Sequence, residues 1–194
     1  MPEVEEYFRE IRSLLHGEPN EHNFKQVCTL LEDALRNERE RAASELVPYA
    51  GGMMRLWPHR LRRMPTSWLK HIGDRIPWHV STLQPLMRTI LIDNREVVPA
   101  DINKFVSSEL FDPILRLEFQ YVWGTWNRTW ESYSLDTELV RQLLGSERFL
   151  RLEELEITRC IKDPKTYALL ATSEHMRGIR ALTLRKNRAI GLEA

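Results

Sequence analysis

Leu152-Glu-Glu-Leu155-Glu-Ile157-Thr-Arg-Cys160 and Ile179-Arg-Ala-Leu182-Thr-Leu184-Arg-Lys-Asn187 share apolar residues at positions one, four and six, at an offset of 27 residues. The ninth position is Cys in one and Asn in the other. Successive side chains of a strand point to opposite faces, so positions four and six enter a core while three, five and seven face away from it. Asn or Cys at position nine can hydrogen-bond the turn that follows. Two strands in one frame are therefore expected, each burying a pair of apolar side chains.

The frame extends backwards. Met87, Ile90 and Ile92 precede Ile114, Leu117 and Phe119 by the same 27 residues. The intervening segments align on a serine followed by glutamate, at Ser108, Ser146 and Ser173. Around those serines, Ile102, Val140 and Tyr167 recur on one side, then Phe105, Leu143 and Leu170, then Phe111, Phe149 and Met176 beyond. That spacing is one buried stripe of a helix. The pattern predicts strands at 87–93, 114–120, 152–158 and 179–185, with helices near 99–109, 135–145 and 164–172. Pro99 and Pro164 suit helix starts, where the missing N–H is unneeded. Strands linked this way pair in parallel.

The spacing resembles the leucine-rich repeats of the ribonuclease-inhibitor type, nearest to short bacterial proteins in which a helical region precedes the repeats. The resemblance implies an α/β fold: a short leucine-rich-repeat solenoid, parallel strands with helices on the outer face, preceded by an all-helical N-terminal cap. The repeats would occupy residues 85–194, about three and a half units, and the cap residues 1–84. Arg95 and Val122 depart from the pattern at the ninth position, and no unit has leucine at the eleventh.

In the first part, Val4, Tyr7, Phe8, Ile11, Leu14 and Leu15 recur at helical spacing until Gly17 and Pro19. Asn23 precedes a second stripe, Phe24, Val27, Cys28, Leu31, Ala34 and Leu35. Two such helices joined by a short turn should pack antiparallel. A third segment carries Ala42, Ala43, Leu46 and Val47, with Pro48 expected to limit it before Gly51 and Gly52. A short helix is expected from Ser67 to Ile72. A solenoid needs such a cap because an uncovered end leaves core side chains in water.

Between Trp57 and Trp78, basic and aromatic residues interleave: Arg60, Arg62, Arg63, Trp68, Lys70, His71 and Arg75. That mixture can hold phosphates and stack bases. The favoured reading is structural, with tryptophans packing the cap and arginines on a solvated face. No glycine-rich or recognition-helix pattern accompanies it.

One unit is longer, 38 residues from Ile114 to Leu152. The extra length carries Trp123, Trp126, Arg128, Trp130 and Tyr133. Insertions in repeats map to loops on one face, and large amphipathic rings dominate interface energetics. This insert is expected to bind a partner.

The formal net charge is zero, so no global field recruits nucleic acid or an anionic membrane. Two cysteines in unrelated contexts read as buried thiols of a reducing compartment. No run approaches the roughly 20 apolar residues of a membrane span, and the acidic start is unlike a signal peptide, so a cytoplasmic location is expected. There is no G-x-S-x-G, Walker loop, H-E-x-x-H or C-x-x-C, and the six histidines lack metal-ligand spacing. No cofactor, metal or catalytic residue is expected.

These readings point to a non-enzymatic protein-interaction module with an unspecified protein partner. Its outward columns would be Thr89, Arg116, Glu154 and Ala181; Leu91, Glu118, Glu156 and Thr183; and Asp93, Gln120, Thr158 and Arg185. Glu118 beside Glu156 would be a like-charge pair awaiting a cationic group. The alternatives are a nucleic-acid or anionic-surface binder through residues 55–78, or a regulatory fragment of a larger protein. The last strand, 179–185, would leave an open edge suited to self-association.

Overall fold

The structure is a computed structural model that describes residues 4–71, 76–93, 104, 107–120, 135 and 137–187. It is a mixed α/β protein with a four-stranded parallel sheet. The chain forms two compact units, one of Met1–Met64 with Arg75–Thr89, the other of Pro65–Asp74 with Ile90–Ala194. The first unit runs on to Thr89, and residues 65–74 group with the second unit.

In the first unit, α1 (Val4–His16) and α2 (Glu21–Asn37) bury the stripes read from the sequence, including Ile11, Val27 and Leu31. The helix start lies one turn before Asn23: the Asn20 side chain accepts a bond from the Asn23 N–H, 2.8 Å, which satisfies an orphan first-turn donor. The Asn37 amide donates to the Tyr7 hydroxyl, 2.8 Å, tying the end of α2 to the start of α1.

Pro48 does not limit the third segment. After α3 (Arg39–Arg41) the chain widens into a π-helical turn, Ala42–Leu46, and continues as α4 (Val47–Met53) with the proline in its first turn. Val47 bonds back to Ala42, a five-residue step. The wider turn accommodates a residue that lacks an N–H and would clash with a regular preceding turn. Gly51 stays helical: a Cβ there would meet Leu86 Cδ2 at 3.2 Å, so close packing accounts for this glycine.

The basic-aromatic stretch is only partly as expected. Trp57 and Trp68 are buried, but so is Arg62. Its guanidinium donates to the carbonyls of Leu86, 2.8 Å, and Met54, 3.3 Å. Burial, reinforced by nearby Arg88, lowers the Arg62 pKa to about 10. Arg63 pairs with Thr89 as a one-residue parallel bridge, and the Arg62 carbonyl accepts from both Arg88 and Thr89. Residues 62–64 thus behave as a rudimentary strand. The segment from Thr66 to His71 is a 3-10 helix; the expected end at Ile72 and Gly73 lies outside the described residues. After it come α5 (Trp78–Leu83) and a 3-10 turn, Gln84–Leu86.

The sheet comprises β1 (Thr89–Asp93), β2 (Arg116–Gln120), β3 (Glu154–Thr158) and β4 (Ala181–Arg185), in that order. Every strand begins two residues later than expected. Met87, Ile114, Leu152 and Ile179 each donate to the carbonyl three residues back, so the first apolar position closes a 3-10 turn instead of entering the ladder. It is buried at Met87, Ile114 and Leu152.

Between strands, two helices lie within a residue or two of the expected 135–145 and 164–172, and the residues beyond each serine form a separate turn. α6 (Thr137–Leu144) and α7 (Pro164–Thr172) end before the serine, and a 3-10 turn follows it, Glu147–Arg151 or Glu174–Gly178. A third turn, Glu109–Phe111, follows Ser108. The Ser108 and Ser173 side chains accept bonds from the N–H groups of Leu110 and His175. Serine competes with helix continuation by bonding nearby backbone, which makes it a cap. The expected 99–109 helix lies largely outside the described residues, with Ile102 and Phe105. Val140, Leu143, Leu170, Phe111 and Phe149 are buried, whereas Tyr167 and Met176 are half-buried. No helix of the described residues is long and apolar enough to cross a membrane.

Candidate functional site

Parallel pairing sets Arg116 opposite Glu154 and Glu154 opposite Ala181. Glu118, Glu156 and Thr183 align likewise, as do Gln120, Thr158 and Arg185. These are the columns expected from the frame across β2, β3 and β4. Leu117 and Leu155, with Phe119 and Ile157, form the buried rows between them.

The face is organised by Arg116. Its Nε donates to Glu118, 2.7 Å, one terminal nitrogen donates to Glu154, and the other donates to Glu156, 2.6 Å. A guanidinium presents its donors in a planar fork, which lets one side chain serve three carboxylates. Burial works against the charged form here, but the hydrogen bonds it donates to Glu118 and Glu154 outweigh that and raise the Arg116 pKa. The Glu118–Glu156 pair is therefore met by a cation of the same chain, not left for a partner's cation to relieve. Glu156 also pairs with Arg185, 3.6 Å.

Beside this network lies a concavity of about 260 Å³, reached by Glu118, Gln120, Glu156, Thr158 and Arg185. Arg159 and Lys186 line it as well, two residues that alternation alone does not put on this face. Both have left-handed backbone, φ 59° and 52°, immediately after their strands. The legible signal was two basic residues at the eighth position of units 27 residues apart.

The ninth position fixes this geometry. The Asn187 carbonyl oxygen accepts from the N–H groups of Cys160, 2.9 Å, and Ile161, 3.1 Å, and its amide donates to Ile157, 2.8 Å. These bonds tie the turn back to the preceding unit. Arg159 is held further by its N–H to the Arg185 carbonyl, 3.0 Å.

Trp123, Trp126, Arg128 and Trp130 lie outside the described residues. Of the basic-aromatic stretch, Trp78 is partly exposed, with the Arg39 guanidinium 4.0 Å above its ring. Among the described residues no group of three or more His, Cys, Asp or Glu is placed to hold a metal ion. Compared with protein-family models, characterised proteins and solved structures, the chain matches none.

Proposed function

We propose that this chain is a non-enzymatic protein-interaction module of leucine-rich-repeat type, with the outward sheet face as its recognition surface. The observation that carries the reading is the register of Arg116, Glu118, Gln120, Glu154, Glu156, Thr158 and Arg185 in ordered columns above buried apolar rows. Side chains such as Arg116, Glu118, Glu154 and Glu156, already held by their mutual ion pairs, would bind at lower ordering cost. The reading includes the aromatic insert with Trp123, Trp126, Arg128 and Trp130, on sequence grounds. A cytoplasmic, reducing setting suits the two buried thiols, Cys28 and Cys160.

The alternative, nucleic-acid binding through residues 55–78, is weakened because Trp57 and Trp68 are buried and cannot stack on bases. Affinity purification with two baits tests the proposal: the unaltered chain, and one with Gln120→Ala, Thr158→Ala and Arg185→Ala together. A partner retained by the first and lost from the second supports the sheet face. A partner held equally by both, or a nucleic acid released by modest salt, overturns it.

A further inference from the structure

The sheet-face concavity is lined by a cluster of cations. Arg159, Arg185 and Lys186 converge there. Arg185 reaches Glu156 at 3.6 Å. Among the described residues, no ion pair is formed by the side chain of Arg159 or Lys186.

Both residues stand in the left-handed region, at φ 59° and 52°. That conformation favours glycine or asparagine and is strained for a long side chain. Equivalent turns of successive units thus place a cation where a smaller residue would sit with less strain. Strain at paired positions is a reason to look for a role. The reversed turn brings both side chains to the outward face.

The charge distribution then selects the ligand. The inner wall of the concavity holds Glu118 and Glu156, and Glu154 lies in the same network. A polyphosphate backbone laid across this face would run from the basic rim onto those carboxylates. A single carboxylate can stop at the rim, where a guanidinium binds it through two parallel N–H bonds. The small volume, about 260 Å³, suits a side chain rather than a folded ligand.

We infer that the concavity bounded by Arg159, Arg185 and Lys186 receives an aspartate or glutamate side chain of a protein partner. The inference rests on the sheet face being the recognition surface and names the chemistry it recognises there.

The test uses a displayed library of random peptides selected on the full chain. Selected peptides should carry an acidic residue whose replacement by its amide weakens binding about tenfold or more, the usual scale for a lost charge pair. Binding should fall as much in the double variant Arg159→Gly with Lys186→Gly, while its unfolding midpoint stays level or rises because glycine relieves the left-handed backbone. Arg36→Gln, on α2 of the other unit, serves as the control and should bind like the unaltered chain. Peptides lost with Gln120→Ala and Thr158→Ala but indifferent to amidation would overturn the acidic ligand and leave the sheet-face reading standing. Peptides unaffected by any sheet substitution would overturn both. A single-stranded oligonucleotide that binds and is lost in the glycine variant would also overturn the inference, by showing a polyanion site.

Discussion

The Arg116 guanidinium bonds Glu118 on its own strand and Glu156 on the next, at 2.7 and 2.6 Å, so two carboxylates paired across the ladder share one cation. All these side chains are at least three-quarters covered. Covered ion pairs respond asymmetrically: removing one partner exposes the desolvation cost of the other. Glu118→Gln should therefore lower stability by about 1–2 kcal/mol, and Arg116→Met by about 2–4 kcal/mol, in urea unfolding. Adding Glu118→Gln and Glu156→Gln to Arg116→Met should recover part of the loss. A neutral Glu118→Gln would mean that repulsion between the carboxylates outweighs the shared cation.

Asn187 satisfies three backbone groups of the unit before it. Its removal leaves two N–H donors and one carbonyl without those bonds, which predicts a loss of about 2–3 kcal/mol for Asn187→Ala. Hydrogen exchange should accelerate first at Cys160 and Ile161. Unchanged protection at both amides would show that the turn holds without the side chain.

Most of this sheet was legible because its constraints are local and periodic. Alternation with a constant offset reveals which residues face which way, and the ladder follows those columns from Arg116 to Arg185. What was missed depends on contacts that no period records. The columns set Arg116 beside Glu154 and Glu118 beside Glu156, but not that a single guanidinium reaches across both columns to all three carboxylates. Arg159 and Lys186 reach the face only because the backbone reverses after the strand, and Asn, Gly or a basic residue can all occupy such a turn. Pro48 misled because a proline ordinarily ends a helix, while a π-helical turn just before it removes the clash.

Two glycines separate packing from propensity. A Cβ at Gly178 would stand 3.0 Å from the Leu150 carbonyl oxygen, and backbone cannot step aside as a side chain can. Gly178→Ala should cost about 1–3 kcal/mol by overpacking. A Cβ at Gly52, within α4, would meet nothing inside 4 Å, so Gly52→Ala should stabilise by about 0.5–1 kcal/mol through helix propensity. Thermal unfolding of the two variants should shift in opposite directions; shifts of the same sign would refute the packing assignment.

Burial pushes the Cys28 thiol up to about 12, with Glu32 adding to the shift and Arg62 opposing it. A folded pKa above the unfolded one favours the protonated group, so the stability it confers is complete below about pH 9 and is lost as pH rises towards 12. The thiolate is the reactive form. Alkylation of Cys28 at pH 8 should therefore track unfolding and accelerate with urea. Rapid labelling of the folded chain would place the thiol in contact with solvent.

The last prediction concerns β4, which lies at one end of the strand order. Leu182 and Leu184 continue the rows of Leu117 with Leu155 and Phe119 with Ile157, yet they are 45% and 41% exposed where those four are buried. Apolar side chains beside an end strand favour pairing with another chain. The sequence Ala181-Leu-Thr-Leu-Arg185 is close to self-complementary in an antiparallel arrangement centred on Thr183. Leu182 then faces Leu184 of the second copy and Ala181 faces Arg185, with no like charges directly opposed. Self-association through β4 should therefore rise with concentration in sedimentation velocity, and Leu182→Lys with Leu184→Lys should abolish it by placing cations on the edge. A monomer up to high micromolar concentration, with the Ala181–Arg185 amides well protected from exchange, would defeat the open-edge reading; dimers that persist in the lysine variant would move the contact to another surface.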